Sequence, residues 1–333
     1  MNNLTTDSSL PLFKENGTGH GPDLSRLPTP IKIVSLVAMV IGTACIVTNI
    51  LTLVIVYRRP VLRHKSRQLL ISLAVADLLV GVAAFIVAGR LFFIACSGSD
   101  FVKWLSIAEN IPIHVSVEHM LVIAGDRFLA IVFPLWYESK VTGGHIRVAI
   151  ALLWLVTVAM VTVETLGFGR FASFIGCQYE DMKLKDFLIG AMVMFAVTFL
   201  LLTCMYCRIW CVARGHRRQI PGQASNESSA AVGPSKATKT ITLILVTYML
   251  TYLPLEIQAS LFVLGVVDKS PYTVAHYVVV ASFCLVLLKS CSNFFIYAVA
   301  NEHFYKAYKS LFACGSEAED HCRRYSQGNR QKD

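Results

Sequence analysis

The residues of this 333-residue chain best placed to do chemistry are polar groups standing where polarity is costly. Asp77 lies in the run Ser72-Leu73-Ala74-Val75-Ala76-Asp77-Leu78-Leu79, and Lys289 and Asn293 lie in another apolar run that closes at Tyr297. Glu109, His114, Glu118 and His119 interrupt a third. An ionisable group in such surroundings must be paired, or must face a wet cavity or a ligand, because hydrocarbon does not solvate it. Lys289 precedes Asn293 by four residues, one helical turn, so the two share a helix face. Asp126-Arg127-Phe128 sets opposite charges side by side at the end of an apolar run. An arginine held there by one partner can act as a two-position element, or its long side chain can simply reach the interface. None of this is enzyme chemistry. No nucleophile stands with a base, and no Cys/His spacing suits a metal. The scattered histidines and Gly143-Gly144 are not catalytic signals, so no catalytic residue, cofactor or metal is expected.

These groups need a scaffold that carries them through lipid. The chain is 55% hydrophobic and 15% charged, with a mean hydropathy of +0.58; a soluble domain carries about 25% charged residues. The net charge of +9 raises nucleic acid as a partner, but no basic–aromatic array accompanies it. The lysines and arginines sit in short segments between apolar runs, so membrane lipid is the expected partner and nucleic acid is not. About 20 apolar residues cross the hydrocarbon core. Seven stretches reach that length, 31–57, 69–94, 104–133, 146–168, 187–211, 240–264 and 274–299. The third must turn its acids and histidines inward. No segment alternates with period two, which excludes a barrel. The expected fold is an all-α, seven-transmembrane helix bundle over 31–299, preceded by a tail at 1–30.

Orientation follows from the basic residues. Arg58, Arg59, Arg63, Lys65 and Arg67 follow the first span; Arg214, Arg217, Arg218, Lys236 and Lys239 follow the fifth. Residues 300–333 add Lys306, Lys309, Arg323, Arg324, Arg330 and Lys332. The other side is sparser, its Arg170, Lys183, Lys185 and Lys269 balanced by Glu180, Asp181, Asp186 and Asp268. The N-terminus is therefore expected outside and the C-terminus in the cytosol. The tail shows no basic n-region and apolar h-region, so no cleaved signal is expected, and its sequons make Asn3 and Asn16 glycosylation sites. Residues 219–235 read as a flexible loop. Phe304, Tyr308, Leu311 and Phe312 recur at helical spacing, which suits a short amphipathic helix on the inner leaflet. Cys314, just beyond, is placed for palmitoylation or is a free cytosolic thiol. No internal repeat suggests a transporter, and no ring of like charge suggests a channel.

Taken in order, these marks resemble the rhodopsin-like G-protein-coupled receptors. They are Asn49 in the first span, Leu73-Ala74-Val75-Ala76-Asp77 in the second and Asp126-Arg127-Phe128 closing the third. Trp154, Tyr206 and Pro254 follow in the fourth, fifth and sixth, and Asn293-Phe294-Phe295-Ile296-Tyr297 closes the seventh. The resemblance covers nearly all of 31–314. It implies a plasma-membrane receptor that passes an extracellular ligand's signal to heterotrimeric G proteins by movement of the sixth and seventh helices. It also implies that Arg127 pairs with Asp126 at rest and swings toward Tyr206 and Tyr297 on activation.

The departures from the family pattern are informative. Phe294 and Thr198 replace prolines of the seventh and fifth helices, which should straighten both. Tyr252 stands where a Trp is usual, and Pro234 where many members carry an acid facing the arginine, so coupling is expected to be unusual or constitutive. Glu109 occupies the position where amine-binding members carry Asp, and Glu256 a pocket-facing one. With Asn110, Ile113, Tyr252 and Phe283 they form the expected ligand set. Two acids suit a cationic ligand group; capped by Asn110, His114 or Gln258 they would bind nothing. Cys284 and Leu287 replace the aromatic lid of amine receptors, and Gly190, Ala191 and Met194 supply no hydroxyls. An opsin-like photoreceptor is the alternative, but its lysine would fall at Leu287, about 200° of helix from Lys289. Relatives hold a sodium ion at positions matching Asp77, Ser116 and Asn293. The Lys289 ammonium is expected there instead, paired with Asp77 and completing a core network with Asn49; snorkelling or a pair with Glu118 are the other possibilities. Relatives also join a cysteine atop the third helix, here Val102, to the second outer loop. Cys96 and Cys177, the two cysteines left outside, are expected to pair or to remain free.

Overall fold

The computed structural model describes residues 29–58, 64–93, 100–167, 183–218, 236–266, 274–300, 304–305 and 308–309. Asn3, Asn16, Cys96, Cys177, Pro234 and Cys314 lie outside them. Among the described residues there are eight helices and no strand: α1 (Thr29–Arg58), α2 (His64–Phe93), α3 (Asp100–Val132), α4 (Pro134–Lys140), α5 (Gly143–Gly167), α6 (Lys183–Arg218), α7 (Lys236–Val263) and α8 (Val274–Ala300). Seven are long and correspond to the seven expected spans; α4 is a short addition. Helices are required because lipid offers the backbone no hydrogen-bond partners. Polar side chains follow the same rule. Thr43, Thr48, Thr52, Thr165, Thr247, Thr251 and Ser260 each return a hydroxyl to a carbonyl four residues back.

The helices close a ring. α1 packs on α2 and α8, α8 on α7, α7 on α6, and α6 on α3, while α3 also meets α2 and α5. Five stretches, in α1, α2, α5, α6 and α8, are individually long and apolar enough to cross a bilayer, and α3 qualifies together with α4. Only 17% of the apolar stretches of α5 and α6 is buried, against 56% for α2 and α8, so α5 and α6 give most of their surface to lipid. α7 falls short of that measure over its described residues, yet it fills the place between α6 and α8.

Close approach of α1 and α2 depends on two glycines. A Cβ at Gly81 would lie 2.7 Å from Ile46 Cγ1 and 2.8 Å from the Gly42 carbonyl oxygen; one at Gly42 would lie 2.8 Å from Ala84 Cβ. Small residues at such crossings let backbones touch where no hydrophobic force drives helices together. The C-terminal end of α3 breaks by 114° into α4. Pro134 opens α4, where its missing N–H is no loss, and it cannot continue the α3 ladder.

The expected straightening of the seventh helix concerned Phe294, and there the side chain has a packing role. Its ring meets Phe304, Tyr308 and Phe295 edge-on at centroid distances of 5.8, 5.5 and 5.4 Å. Phe304 is buried with Ile55, Val56 and Leu70 of α1 and α2. Phe304 and Tyr308 thus pack against the bundle, a contact the amphipathic pattern alone did not specify.

Candidate functional site

The centre of the bundle holds a polar cluster drawn from three helices, α2, α3 and α8. Asp77 of α2 is fully buried, and Lys289 of α8 is 2% exposed. The Lys289 ammonium donates to the Ser116 carbonyl at 3.0 Å and to Ser116 Oγ at 2.5 Å, and lies 3.9 Å from Asp77 Oδ1. Ser116 Oγ in turn donates to Asp77 Oδ1. Asn293 Nδ2 donates to Asp77 Oδ2 at 2.6 Å. A hydroxyl has one proton to give and lone pairs to receive, so Ser116 relays lysine to aspartate. The sequence suggested a pair of Lys289 with Asp77; the two charges stand 3.9 Å apart, with the Ser116 hydroxyl bonded to both. Glu118, the other partner considered, instead accepts from Thr157 of α5 at 2.6 Å.

Asn49 borders this cluster. Its amide donates to the Cys45 carbonyl at 2.9 Å and to the Ser290 carbonyl at 3.3 Å, tying α1 to α8. The Cys45 thiol reaches the Asp77 carbonyl at 3.1 Å. A second chain ties α5, α2 and α3. Trp154 Nε1 donates to Ser72 Oγ at 3.0 Å, and Ser72 Oγ lies 2.8 Å from His119 Nε2. His119 Nδ1 is 2.8 Å from the Val115 carbonyl, which can only accept, so the proton belongs on Nδ1. A neutral imidazole then takes the Ser72 proton on Nε2, and every group is satisfied.

At the C-terminal end of α3, Asp126 is buried and Arg127 partly exposed. Arg127 Nε donates to Asp126 Oδ2 at 3.0 Å, and Nη2 makes a closer contact to the same oxygen. Tyr137 of α4 donates to the other oxygen, Oδ1, at 2.5 Å. Burial and the neighbouring carboxylate push the Tyr137 phenol well above the ordinary tyrosine range, so it remains a donor. Tyr137 was not foreseen, because only the break at Phe133-Pro134 returns it to Asp126. Tyr206 is buried with Ala124 and Leu202, whereas Tyr297 packs beside Leu73, Met120 and Ile296.

Toward the other end, the expected ligand residues are dispersed between two apolar clusters. Ile113 joins both: it packs on the cluster holding Tyr248 and Tyr252, and with Phe283 on the cluster of Ala38, Val80, Ala84, Cys284 and Leu287. Tyr252 is buried, its ring 5.1 Å from Tyr248, which stacks on Phe195 at 5.5 Å. Glu109 is buried and Glu256 partly so. Asn110 donates to Ser106 of its own helix at 2.8 Å.

Comparison with known proteins matches residues 48–297 to the model of the 7 transmembrane receptor (rhodopsin family). The allatostatin-A receptor of Bombyx mori is 26% identical over 299 residues, 82% of this chain and 78% of that receptor. The melatonin receptor type 1A of Mus musculus is 24% identical over 310 residues, 89% of this chain and 83% of its own. The adenosine receptor A2a of Homo sapiens is 26% identical over 298 residues, 83% and 71%. A family match over three-quarters of the length joins the seven-helix ring and its polar centre: the chain belongs to the rhodopsin family of seven-transmembrane receptors, a family of receptors and not of enzymes.

Proposed function

We propose that this receptor sits in the plasma membrane with its N-terminus outside, binds an extracellular ligand between α3, α7 and α8, and activates heterotrimeric G proteins at its inner face. The observation that carries the signalling reading is the Arg127–Asp126–Tyr137 cluster. A partly exposed guanidinium is held by a buried carboxylate, which is itself held by a tyrosine on the adjoining α4. Such a charge can exchange its partner for a new one when neighbouring helices move, which makes the site bistable. Tyr206 and Tyr297, on either side of α3, are the acceptors proposed for the released arginine.

The ligand is proposed to carry a cationic group, on the strength of Glu109 and Glu256. The relatives are named for an allatostatin, melatonin, adenosine and histamine, chemically too unlike to narrow the choice. A retinal adduct is disfavoured, since the Lys289 amine is committed to Ser116 and Asp77. The basic inner loops support the orientation, and the oxidising exterior supports a Cys96–Cys177 bond. The test is GTP-analogue binding in membranes, with a panel of heterotrimers and a small-molecule and peptide library. Wild type should raise exchange on at least one heterotrimer, basally or with a library compound. Arg127→Ala, at equal surface level, should abolish the rise; an undiminished response would remove Arg127 from the mechanism.

A further inference from the structure

α6 carries three thiols that the bundle does not use. Cys204, Cys207 and Cys211 follow one another at three and four residues, which puts them on one strip of the helix, and all three are exposed. Cysteine is among the residue types most often buried, so three on an outward strip are not explained by packing. The strip continues through Leu200, Val197 and Val193, 62%, 47% and 55% exposed, and is the face α6 turns to lipid. The apolar stretch Met192–Val212 ends one residue beyond Cys211, and Arg214, His216, Arg217 and Arg218 follow. Trp210, 48% exposed, stands beside it, and tryptophan settles at membrane interfaces. Cys211 therefore lies at the edge of the hydrocarbon, against a basic segment. Helical Cβ bonds tilt toward the helix N-terminus, so its sulfur is aimed back into the span.

We propose that Cys211 is an S-acylation site that takes a long-chain acyl group from acyl-coenzyme A. The deprotonated thiol attacks the thioester carbonyl, a new carbon–sulfur bond forms and the bond to the coenzyme sulfur breaks. Coenzyme A leaves as a thiol carrying the proton, with no change of oxidation state. The chain then lies along Cys207, Cys204, Leu200 and Val197. Cys207 and Cys204 are deeper by about 6 and 10 Å, at about 1.5 Å per residue, out of reach of a transferase working at the interface, and remain thiols. The proposal rests on the cytosolic placement of this end of α6.

The experiment uses the full chain in cell membranes, with Cys314→Ser and Cys322→Ser removing the tail thiols. Free thiols are blocked, thioesters are cleaved with hydroxylamine, and the thiols released are given a mass tag. One hydroxylamine-dependent tag is expected, lost in Cys211→Ala and kept in Cys204→Ala and Cys207→Ala at unchanged surface level. No such tag, or one that survives Cys211→Ala, overturns the proposal. A second arm applies a membrane-impermeant maleimide while acyl transfer is inhibited. Cys211 should react only in permeabilised cells; reaction in intact cells would show that the orientation, and the proposal with it, has failed.

Discussion

Lys289 sets an ammonium 3.9 Å from a fully buried carboxylate. That carboxylate is Asp77, and an ionised group there is tolerated only if paired and fully hydrogen-bonded. The chain supplies both conditions itself, through the tethered ammonium and through Ser116 and Asn293. Removing one partner leaves an unpaired buried charge, at a cost of about 3–5 kcal/mol. Lys289→Met and Asp77→Asn should therefore each lower the thermal midpoint and surface yield, and the double variant should regain most of both. Two additive losses in that cycle would show that the groups are not coupled. Tyr137 belongs to the same scale. Tyr137→Phe deletes the bond that steadies Asp126, worth about 1 kcal/mol, so the released form of Arg127 should become roughly five-fold more populated. Nucleotide exchange without ligand should rise, and unchanged basal exchange would take Tyr137 out of the resting lock. Lys289 was legible because its spacing to Asn293 is local. Tyr137 was not, since it reaches Asp126 only across the 114° break.

At the scale of elements, two contacts decide how the helices sit. α1 and α2 meet backbone to backbone at Gly42 and Gly81, and a methyl on Gly81 would press into the Gly42 carbonyl at 2.8 Å. Overpacking of this kind costs about 1–3 kcal/mol, so Gly81→Ala should lower the thermal midpoint although alanine is the better helix former. A rise in the midpoint would contradict the close approach. Phe294 joins α8 to the segment after it. Phe294→Ala should cost about 3–5 kcal/mol, as for other buried aromatics, and should expose the segment around Phe304 to protease in detergent. An unchanged cleavage pattern would sever that link. The helices themselves were readable because apolar length is a direct demand of the bilayer. The extension of α6 to Arg218 and the separate helix α4 were not, since the basic residues Arg214, Arg217 and Arg218 and the seven residues of α4 do not by themselves make an apolar length. The Trp154–Ser72–His119 chain was hidden for another reason: three residues on three helices share no spacing.

At the scale of the molecule, the ring of helices delivers polar residues from several spans to a single buried point. Asp77 from α2, Ser116 from α3, and Lys289 and Asn293 from α8 meet there, and Asn49 from α1 closes the flank. Lys289 is proposed to fill, with its own ammonium, the position where a soluble cation would bind. Ligands that bind only the folded state raise its stability by mass action, roughly 1.4 kcal/mol at ten times the dissociation constant. In a bundle of this size that is a shift of a few degrees. The direct test is thermal unfolding of the purified receptor in sodium and in N-methylglucamine at equal ionic strength. Wild type should unfold at the same midpoint in both, and Lys289→Met should gain a few degrees in sodium alone. A sodium-dependent rise in wild type would contradict the account.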